Sequence, residues 1–186
     1  MEVKANASDI ARNIKLIIFD VDGTLTDGRI YMGPSGEAMK AFSVRDGMGI
    51  ALWHRAGLKS AIITGRSSDI VTRRADELKI SAVYQGCIDK RVAYEELKEK
   101  YALQDEEIAY VGDDLNDLPL IMTAGLGCGV GDAMPEVRQY VKLLAEKPGG
   151  GGAVREIIEF ILKQQDKWPS LVESFTAKTR VEDLAQ

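Results

Sequence analysis

The sequence has 186 residues, of which 45% are hydrophobic and 28% are charged, and its formal net charge is −5. This length and composition suit one compact domain with a substantial core. The acidic balance lacks the basic excess typical of nucleic-acid surfaces, and no apolar run approaches the ~20 residues of a membrane span. We therefore expect neither a nucleic-acid nor a membrane partner.

The N-terminus and the cysteines indicate the compartment. Residues 1–15 contain no apolar core of the kind found in secretory signals. Cys87 and Cys128 form neither a metal-binding spacing nor a disulfide framework, so we interpret both as free thiols. These features predict a cytoplasmic protein.

Short apolar runs alternate with helical patterns along the chain. Strands are predicted over 15–20, 58–64, 81–85, 108–113 and 126–130, and helices over 46–56, 67–79, 90–101, 115–124 and 152–165. Such alternation predicts βαβ units and a parallel sheet, and continuous apolar runs are typical of strands covered on both faces. The predicted fold class is α/β, with a Rossmann-like doubly wound parallel sheet. We expect one domain over 1–165 and a polar C-terminal tail over 166–186.

Two segments interrupt this alternation. Residues 29–44 predict a β-hairpin insertion around the turn GPSG. An isolated hairpin is only marginally stable in water, so we expect its apolar side chains to pack on this domain or on another copy of the chain. Further along, the glycines at 149–152 predict a flexible joint before the last helix of the domain.

Polar residues follow each of the first strands. The first strand ends in Asp20, with Asp22 two positions later, the second leads into Thr64-Gly65-Arg66, and the fourth into Gly112-Asp113-Asp114. Lys90 follows the third strand through a short loop. Ligands of an open parallel sheet bind outside the carboxyl ends of its strands, so we expect these groups to converge.

The carboxylates of this edge predict a metal ion. Asp20, Asp22 and Asp113 would repel one another without a cation, and Mg²⁺ suits a few carboxylates together with water and phosphate. An EF-hand calcium loop does not fit, because Leu25 and Tyr31 occupy the positions of its glycine and of its closing acid.

Lys90 and Thr64 predict a bound phosphate. A cation in the first turn of a helix opposes the helix dipole, so an isolated Lys90 would be interpreted as a surface residue. At this edge, however, Lys90 would neutralise a phosphate. Thr64 and the backbone N–H groups that follow it would donate hydrogen bonds to the phosphate oxygens.

The segments DVDGTLTDG, ITGR and GDDLND, with Lys90 before the last of them, resemble the motifs of the haloacid dehalogenase superfamily of phosphatases. The resemblance covers about residues 14–162. It implies that Asp20 is the nucleophile, forming an aspartyl-phosphate, and that Asp22 is the general acid and then the general base. The presence of Asp22 argues against the dehalogenase branch.

The same resemblance implies the remaining roles. Mg²⁺ would be held by Asp20, by the backbone carbonyl of Asp22 and by Asp113. Asp114 and Asp117 would orient the site. The phosphoryl group would be bound by Thr64 and Lys90, with Gly65 and Asn116 as further candidates for substrate binding. An inactive domain that retains only the fold is the alternative.

The spacing of the motifs leaves no room for a separate cap domain of ~50 residues. The segments GEAMKAFSVRDGMGI, ITGRSS and GGGGAVREI are similar to the 3-deoxy-D-manno-octulosonate 8-phosphate phosphatases. That resemblance implies a small-molecule sugar-acid phosphate as substrate. It also implies a homotetramer assembled through the 29–44 hairpin, with the glycine-rich segment reaching toward a neighbouring site.

Arg66 favours an octulosonate substrate, because a guanidinium binds a carboxylate in a fork and related nonulosonate phosphatases often have Glu there. Arg45 and Lys40 are further candidates for positive charge, or else form a salt bridge with Asp46 or are solvent-exposed. The subfamily often has Arg near Gly151, a contact that residues 147 and 155 are candidates to replace. The alternatives are a nonulosonate 9-phosphate phosphatase, a phosphatase for macromolecules, and a non-catalytic oligomerising partner of a cytidylyltransferase.

Overall fold

A computed structural model describes residues 1–176 as one seven-stranded sheet, a separate two-stranded hairpin and surrounding helices. The strands are β1 (Glu2–Val3), β2 (Leu16–Phe19), β3 (Tyr31–Gly33), β4 (Gly36–Met39), β5 (Lys59–Ile63), β6 (Ala82–Tyr84), β7 (Ile108–Gly112), β8 (Leu126–Gly129) and β9 (Leu143–Leu144). The helices are α1 (Ala7–Ala11), α2 (Val44–Arg55), α3 (Asp69–Glu77), α4 (Lys90–Tyr101), α5 (Leu118–Thr123), α6 (Pro135–Tyr140), α7 (Ala153–Gln164) and α8 (Trp168–Thr176). Short 3-10 turns cover Asp105–Glu107 and Leu115–Asp117.

The sheet has the strand order β1-β9-β8-β7-β2-β5-β6, and only the β1–β9 pair is antiparallel. From β2 the chain moves outward through β5 to β6, and then returns to β7 on the other side of β2. The strand order therefore reverses between β2 and β7, which is where doubly wound sheets bind their ligands. The predicted α/β doubly wound parallel sheet is confirmed.

The central strands lie inside the molecule. Every residue of β2, β7 and β8 is buried, as continuous apolar runs predict for strands covered on both faces. Among the helices that surround the sheet, α7 packs against α1 and α2, and α4 packs against α5. Trp53 of α2 is fully buried, and its indole N–H donates to the Lys59 carbonyl at 2.7 Å.

All the predicted strands and helices are present within a few residues, although the one predicted over 115–124 divides into a 3-10 turn and α5. The sequence analysis missed β1, β9, α1 and α6. These elements are too short to show a periodic pattern. None of them contributes a candidate site residue, so the missed elements do not change the predicted edge.

The predicted hairpin is present as β3 and β4 around Gly33–Gly36, and it is shorter than the predicted range. Within residues 1–176 no further domain lies between it and α2, as the prediction of no separate cap requires. Four of its large apolar side chains remain exposed, with 67% of Met32 accessible to solvent. These side chains are Ile30, Tyr31, Met32 and Met39.

The prediction that the glycine run forms a flexible joint is wrong. The Gly150 N–H donates to the Thr24 carbonyl at 3.0 Å, and the Gly149 N–H donates to the Asp132 carboxylate at 2.8 Å. A Cβ at Gly149 would overlap the carbonyl oxygen of Gly23. The glycines are therefore needed for the close approach of two backbone segments, and the run packs against the loop that follows β2 in its own chain.

Part of the predicted tail is helical. Leu171 of α8 is buried, and the Arg55 guanidinium lies 4.6 Å from the centre of the Phe175 ring. Residues 177–186 lie outside the described part of the chain, and the domain boundary at 165 stays a prediction. Within residues 1–176, the helices are too short or too polar to cross a membrane.

Candidate active site

The loop after β2 is a tight turn. The Val21 carbonyl accepts hydrogen bonds from the N–H groups of Thr24, Leu25 and Thr26 at 2.9–3.2 Å. Gly23 has φ +92°, and a Cβ there would collide with the Asp113 carboxylate. The sequence needs glycine here so that this loop can lie directly against the loop after β7.

Lys90 is buried among acids at the start of α4. Its Nζ lies 2.9 Å from Oδ1 of Asp20 and 2.6 Å from Oδ1 of Asp117, and it donates to the Tyr110 hydroxyl at 3.3 Å. Burial acts to lower the pKa of Lys90, but the two carboxylates outweigh it and the pKa is raised. Lys90 is thus a charged group of this site and not a surface lysine.

The buried Asp117 carboxylate holds two side chains and two backbone N–H groups in place. Its Oδ1 accepts from Lys90 and from the Tyr110 hydroxyl at 2.6 Å, and its Oδ2 accepts from the N–H groups of Asp113 at 2.9 Å and Asp114 at 3.3 Å. These four donors fill its acceptor sites. The sequence analysis missed Tyr110, and its only signal was a hydroxyl-bearing residue inside the apolar run IAYVG.

The acidic cluster carries more negative charge than the single cation of Lys90 offsets. Carboxylate oxygens of Asp20, Asp113 and Asp117 lie within 4.8 Å of one another, and the Lys90 ammonium group contacts Asp20 and Asp117. Burial, with repulsion from Asp117, raises the pKa of Asp20 to about 6 and that of Asp113 to about 7. Lys90 acts against the first shift, and a 3.2 Å hydrogen bond from Thr24 acts against the second.

This donor set fits a hard divalent cation. Asp20 and Asp113 offer carboxylate oxygens, whereas Asp117 is already bonded by its four donors. The Asp22 carbonyl accepts none of the backbone hydrogen bonds within 1–176, so it is free to act as a third oxygen ligand. Such oxygen ligands suit Mg²⁺.

The Asp22 carboxylate lies apart from this cluster and faces the hairpin. Its Oδ1 accepts a hydrogen bond from Lys40, whose Nζ also lies 2.9 Å from Oε1 of Glu37. The Ser68 hydroxyl donates to Oε2 of Glu37. The alternative that Lys40 is solvent-exposed is wrong, because its side chain is buried in these pairs.

The loop after β5 reaches the same edge. Thr64 is buried, and its backbone is held by the Tyr84 carbonyl at 3.0 Å and the Cys87 N–H at 3.0 Å. Gly65 is exposed, and the Arg66 side chain is 49% exposed, with Nε 3.8 Å from Oδ2 of Asp22. Arg66 therefore lies at the mouth of the site.

Arg45 and Asn116 are exposed, and their side chains make no polar contact with residues 1–176. The Asp46 carboxylate accepts the backbone N–H groups of Gly152 at 3.2 Å and Arg155 at 2.8 Å, so the predicted alternative of an Arg45–Asp46 pair is wrong. The Arg155 guanidinium pairs with Glu159 and stacks on a tryptophan of α8. That Arg155 or Lys147 replaces the missing arginine of the glycine run stays a prediction.

The chain is similar to known proteins over most of its length. A family model described as haloacid dehalogenase-like hydrolase matches residues 71–158. The 3-deoxy-D-manno-octulosonate 8-phosphate phosphatase KdsC of Yersinia pestis is 47% identical over 157 residues, which cover 84% of each chain. The solved structure of such a phosphatase from Moraxella catarrhalis, in complex with magnesium ion, phosphate ion and a KDO molecule, is 42% identical with a TM-score of 0.89, covering 92% of this chain and 99% of that one. A probable yrbI family phosphatase from Pseudomonas syringae is 40% identical with a TM-score of 0.91, covering 94% and 99%.

Proposed function

This chain belongs to the haloacid dehalogenase-like hydrolases, in the family of the 3-deoxy-D-manno-octulosonate 8-phosphate phosphatases, and we propose that 3-deoxy-D-manno-octulosonate 8-phosphate is its substrate. The family makes it a phosphoric monoester hydrolase. The observation that carries the proposal is the buried Lys90 beside a cation-deficient acidic cluster. A dianionic phosphate together with a divalent cation would complement this arrangement of charges.

Mg²⁺ is the cofactor that this site fits. Asp20, Asp113 and the carbonyl of Asp22 would hold it, with Asp117 orienting the loop from which Asp113 projects. When bound, the ion supplies a positive charge that polarises the phosphoryl group and offsets the repulsion between the carboxylates. The protein's own residues carry out the bond-making and proton-moving steps.

In the first half of the reaction, a carboxylate oxygen of Asp20 attacks the phosphorus atom. The bond between phosphorus and the sugar oxygen breaks, and the Asp22 carboxyl gives its proton to that oxygen. Lys90 and Thr64 hold the phosphoryl oxygens during the transfer. The products of this half are the free sugar acid and an aspartyl-phosphate on Asp20.

In the second half, water attacks the phosphorus atom of the aspartyl-phosphate. The Asp22 carboxylate takes a proton from the water, and the bond between phosphorus and the Asp20 oxygen breaks. Inorganic phosphate leaves, the Asp20 carboxylate is restored and Asp22 is again protonated. One residue thus serves as acid and then as base, and it ends the cycle ready for the next substrate.

Arg66 supports a sugar acid over a generic phosphate ester. Its guanidinium is half-exposed at the mouth of the site, where a planar fork is available to the substrate carboxylate. A guanidinium at this position favours the octulosonate over a nonulosonate 9-phosphate in our proposal. We assign no ligand contact to Arg45 or Asn116, which stay candidates for substrate binding.

We infer a homotetramer assembled through the 29–44 hairpin. The supporting observation is its exposed apolar side chains, since contiguous apolar surface marks sites of association. Neighbouring chains would then cover sites that have no cap of their own. Light scattering of the purified chain tests this assembly, and a monomer would contradict it.

A substrate panel and a pair of matched variants test the proposed function. In the presence of Mg²⁺, we expect kcat/KM for the octulosonate ester to exceed that for a nonulosonate 9-phosphate and for simple esters by roughly 100-fold. Asp20→Asn removes the nucleophile and should lower kcat by about 10⁴-fold or more. Asp27→Asn, at an acid whose side chain bonds Arg29 alone among residues 1–176, should retain wild-type activity.

Equal rates across the panel would contradict the substrate assignment. Activity that survives in Asp20→Asn would contradict the aspartyl-phosphate. No turnover of any ester, with assembly retained, would favour the non-catalytic partner of a cytidylyltransferase.

A further inference from the structure

The two oxygens of the Asp22 carboxylate have different surroundings. Oδ1 accepts a hydrogen bond from Lys40 Nζ. The cationic group facing Oδ2 is Nε of Arg66 at 3.8 Å, which is too long for a hydrogen bond. Within residues 1–176 Oδ2 has no hydrogen-bond partner, so only this oxygen is free to exchange a proton.

Lys40 cannot reach a substrate. Its side chain has no exposed surface, and its ammonium group is enclosed between Asp22 and Glu37. Glu37 is itself held by the Ser68 hydroxyl, just before α3. A buried ammonium group is tolerated only when its geometry is well satisfied, so this chain of contacts fixes the position of Nζ.

Building on the proposed function, we propose that Lys40 is a positioning residue that pins Oδ1 of Asp22 and thereby makes Oδ2 the proton-carrying oxygen. Oδ2 gives its proton to the leaving sugar oxygen and later takes one from the attacking water. A protonated carboxyl still accepts at its carbonyl oxygen, so the Lys40 bond to Oδ1 persists in both states. The hairpin, through Lys40, thus sets the geometry of proton transfer.

The leaving group separates this role from a merely structural one. A sugar alkoxide is a poor leaving group and needs the proton from Asp22, whereas p-nitrophenolate leaves as a stable anion. Because kcat/KM reports the steps up to departure of the leaving group, a misplaced Asp22 lowers it selectively for the sugar-acid ester. General loosening of the site would lower it for both substrates.

The first test compares Lys40→Met on the sugar-acid ester and on p-nitrophenyl phosphate. We expect a fall in kcat/KM of roughly 10- to 100-fold on the first and less than about threefold on the second. Lys98→Met is the matched control, because Lys98 also lies between two carboxylates, Asp105 at 2.8 Å and Glu95 at 3.2 Å. Its effect should be the same on both substrates.

The second test is a double-mutant cycle with Asp22→Asn. If Lys40 acts through Asp22, Lys40→Met should change kcat/KM by less than about twofold in the Asp22→Asn background. Additive losses, or equal losses on the two substrates, would overturn the proposal. Lys40→Leu, which also lacks a donor, carries the same tests if the methionine variant does not fold.

Different results would contradict the proposed function and the proposed role of Lys40. Wild-type protein that cleaves p-nitrophenyl phosphate and a simple alkyl phosphate, but not the sugar-acid ester, would contradict the substrate assignment alone. The cycle run on that alkyl and aryl pair would still decide the role of Lys40.

Discussion

The candidate site has two halves, and each half contains one buried lysine that pairs with two carboxylates. In the sheet half, Lys90 follows the strands of the core, and in the hairpin half, Lys40 follows β4. Their side chains are 2% and 0% exposed, respectively. The paired carboxylates are Asp20 and Asp117 for Lys90, at 6% and 0% exposure, and Asp22 and Glu37 for Lys40, at 19% and 14%.

The two halves also differ in their balance of charge. In the sheet half, three carboxylates face one lysine, and the pKa values of Asp20 and Asp113 are raised. In the hairpin half, two cations face two carboxylates. The first half therefore carries an excess of negative charge that a divalent cation would offset, whereas the charges of the second half balance one another.

The largest expected effect separates the halves by stability. Without Mg²⁺, Lys90→Met leaves the buried carboxylates of Asp20 and Asp117 without their cation, and we expect a loss of about 3–5 kcal/mol in the free energy of unfolding. Lys40→Met leaves partly hydrated carboxylates, so its cost should be about 1 kcal/mol. Urea denaturation of both variants measures the difference.

The same urea denaturation with saturating Mg²⁺ should change the difference in unfolding free energy for Lys90→Met but not for Lys40→Met. The ion takes over part of the neutralisation that Lys90 provides, so the gap between wild type and Lys90→Met should narrow when it is added. The gap for Lys40→Met should stay the same. Equal costs for the two lysines, or equal responses to Mg²⁺, would mean that the site is one electrostatic unit.

The sheet half was largely predictable from the sequence. Parallel strands end at one edge, so the residues after β2, β5 and β7 had to lie together, and Lys90 with them. The sequence did not reveal that Tyr110 fills this edge, with its hydroxyl bonded to Lys90 and Asp117. A buried hydroxyl inside an apolar strand has no pattern of its own.

The hairpin half was not predictable, because no spacing rule connects a hairpin lysine to an acid eighteen positions earlier. The sequence left Lys40 as a candidate for added positive charge, for a salt bridge with Asp46 or for solvent exposure, and only the folded hairpin brings it to Asp22. The glycine run shows the same limit. Its composition indicates flexibility, yet Gly149 is required for close contact with Gly23.

Binding of Mg²⁺ should displace protons from Asp20 and Asp113. Because the pKa of Asp20 is about 6 and that of Asp113 is about 7 without a cation, Mg²⁺ must displace protons at acidic pH. Its apparent affinity should therefore rise roughly tenfold between about pH 6 and pH 8. Calorimetry in buffers of different ionisation enthalpy measures both the affinity and the protons released.

Glu37→Gln is the matched control for this titration, because Glu37 belongs to the hairpin half. The variant should show the same slope of affinity with pH as the wild type. A flat affinity over this range would mean that Asp20 and Asp113 bind no protons there, and a changed slope in Glu37→Gln would mean that the two halves titrate together.

The smallest expected effect has the opposite dependence on pH. Burial acts to raise the pKa of Glu37, but the hydrogen bond from Ser68 and the contacts with Lys40 outweigh it and hold the pKa below its ordinary value of 4.5. The folded protein thus binds fewer protons at Glu37 than the unfolded chain just below that pH. The resulting stability is fully present above 4.5 and is lost as the pH falls through the folded value.

Urea denaturation of wild type and Glu37→Gln at several pH values measures this contribution. We expect a difference of less than about 1 kcal/mol at neutral pH that disappears in acid. A difference that persists in acid would assign the effect of Glu37 to hydrogen-bond geometry and not to its charge. The metal-free sheet half should show the opposite dependence on pH. The pKa values of Asp20 and Asp113 are raised in the folded protein, so their contribution to the free energy of unfolding is lost as the pH rises. Of the two halves, acid should therefore destabilise the hairpin half.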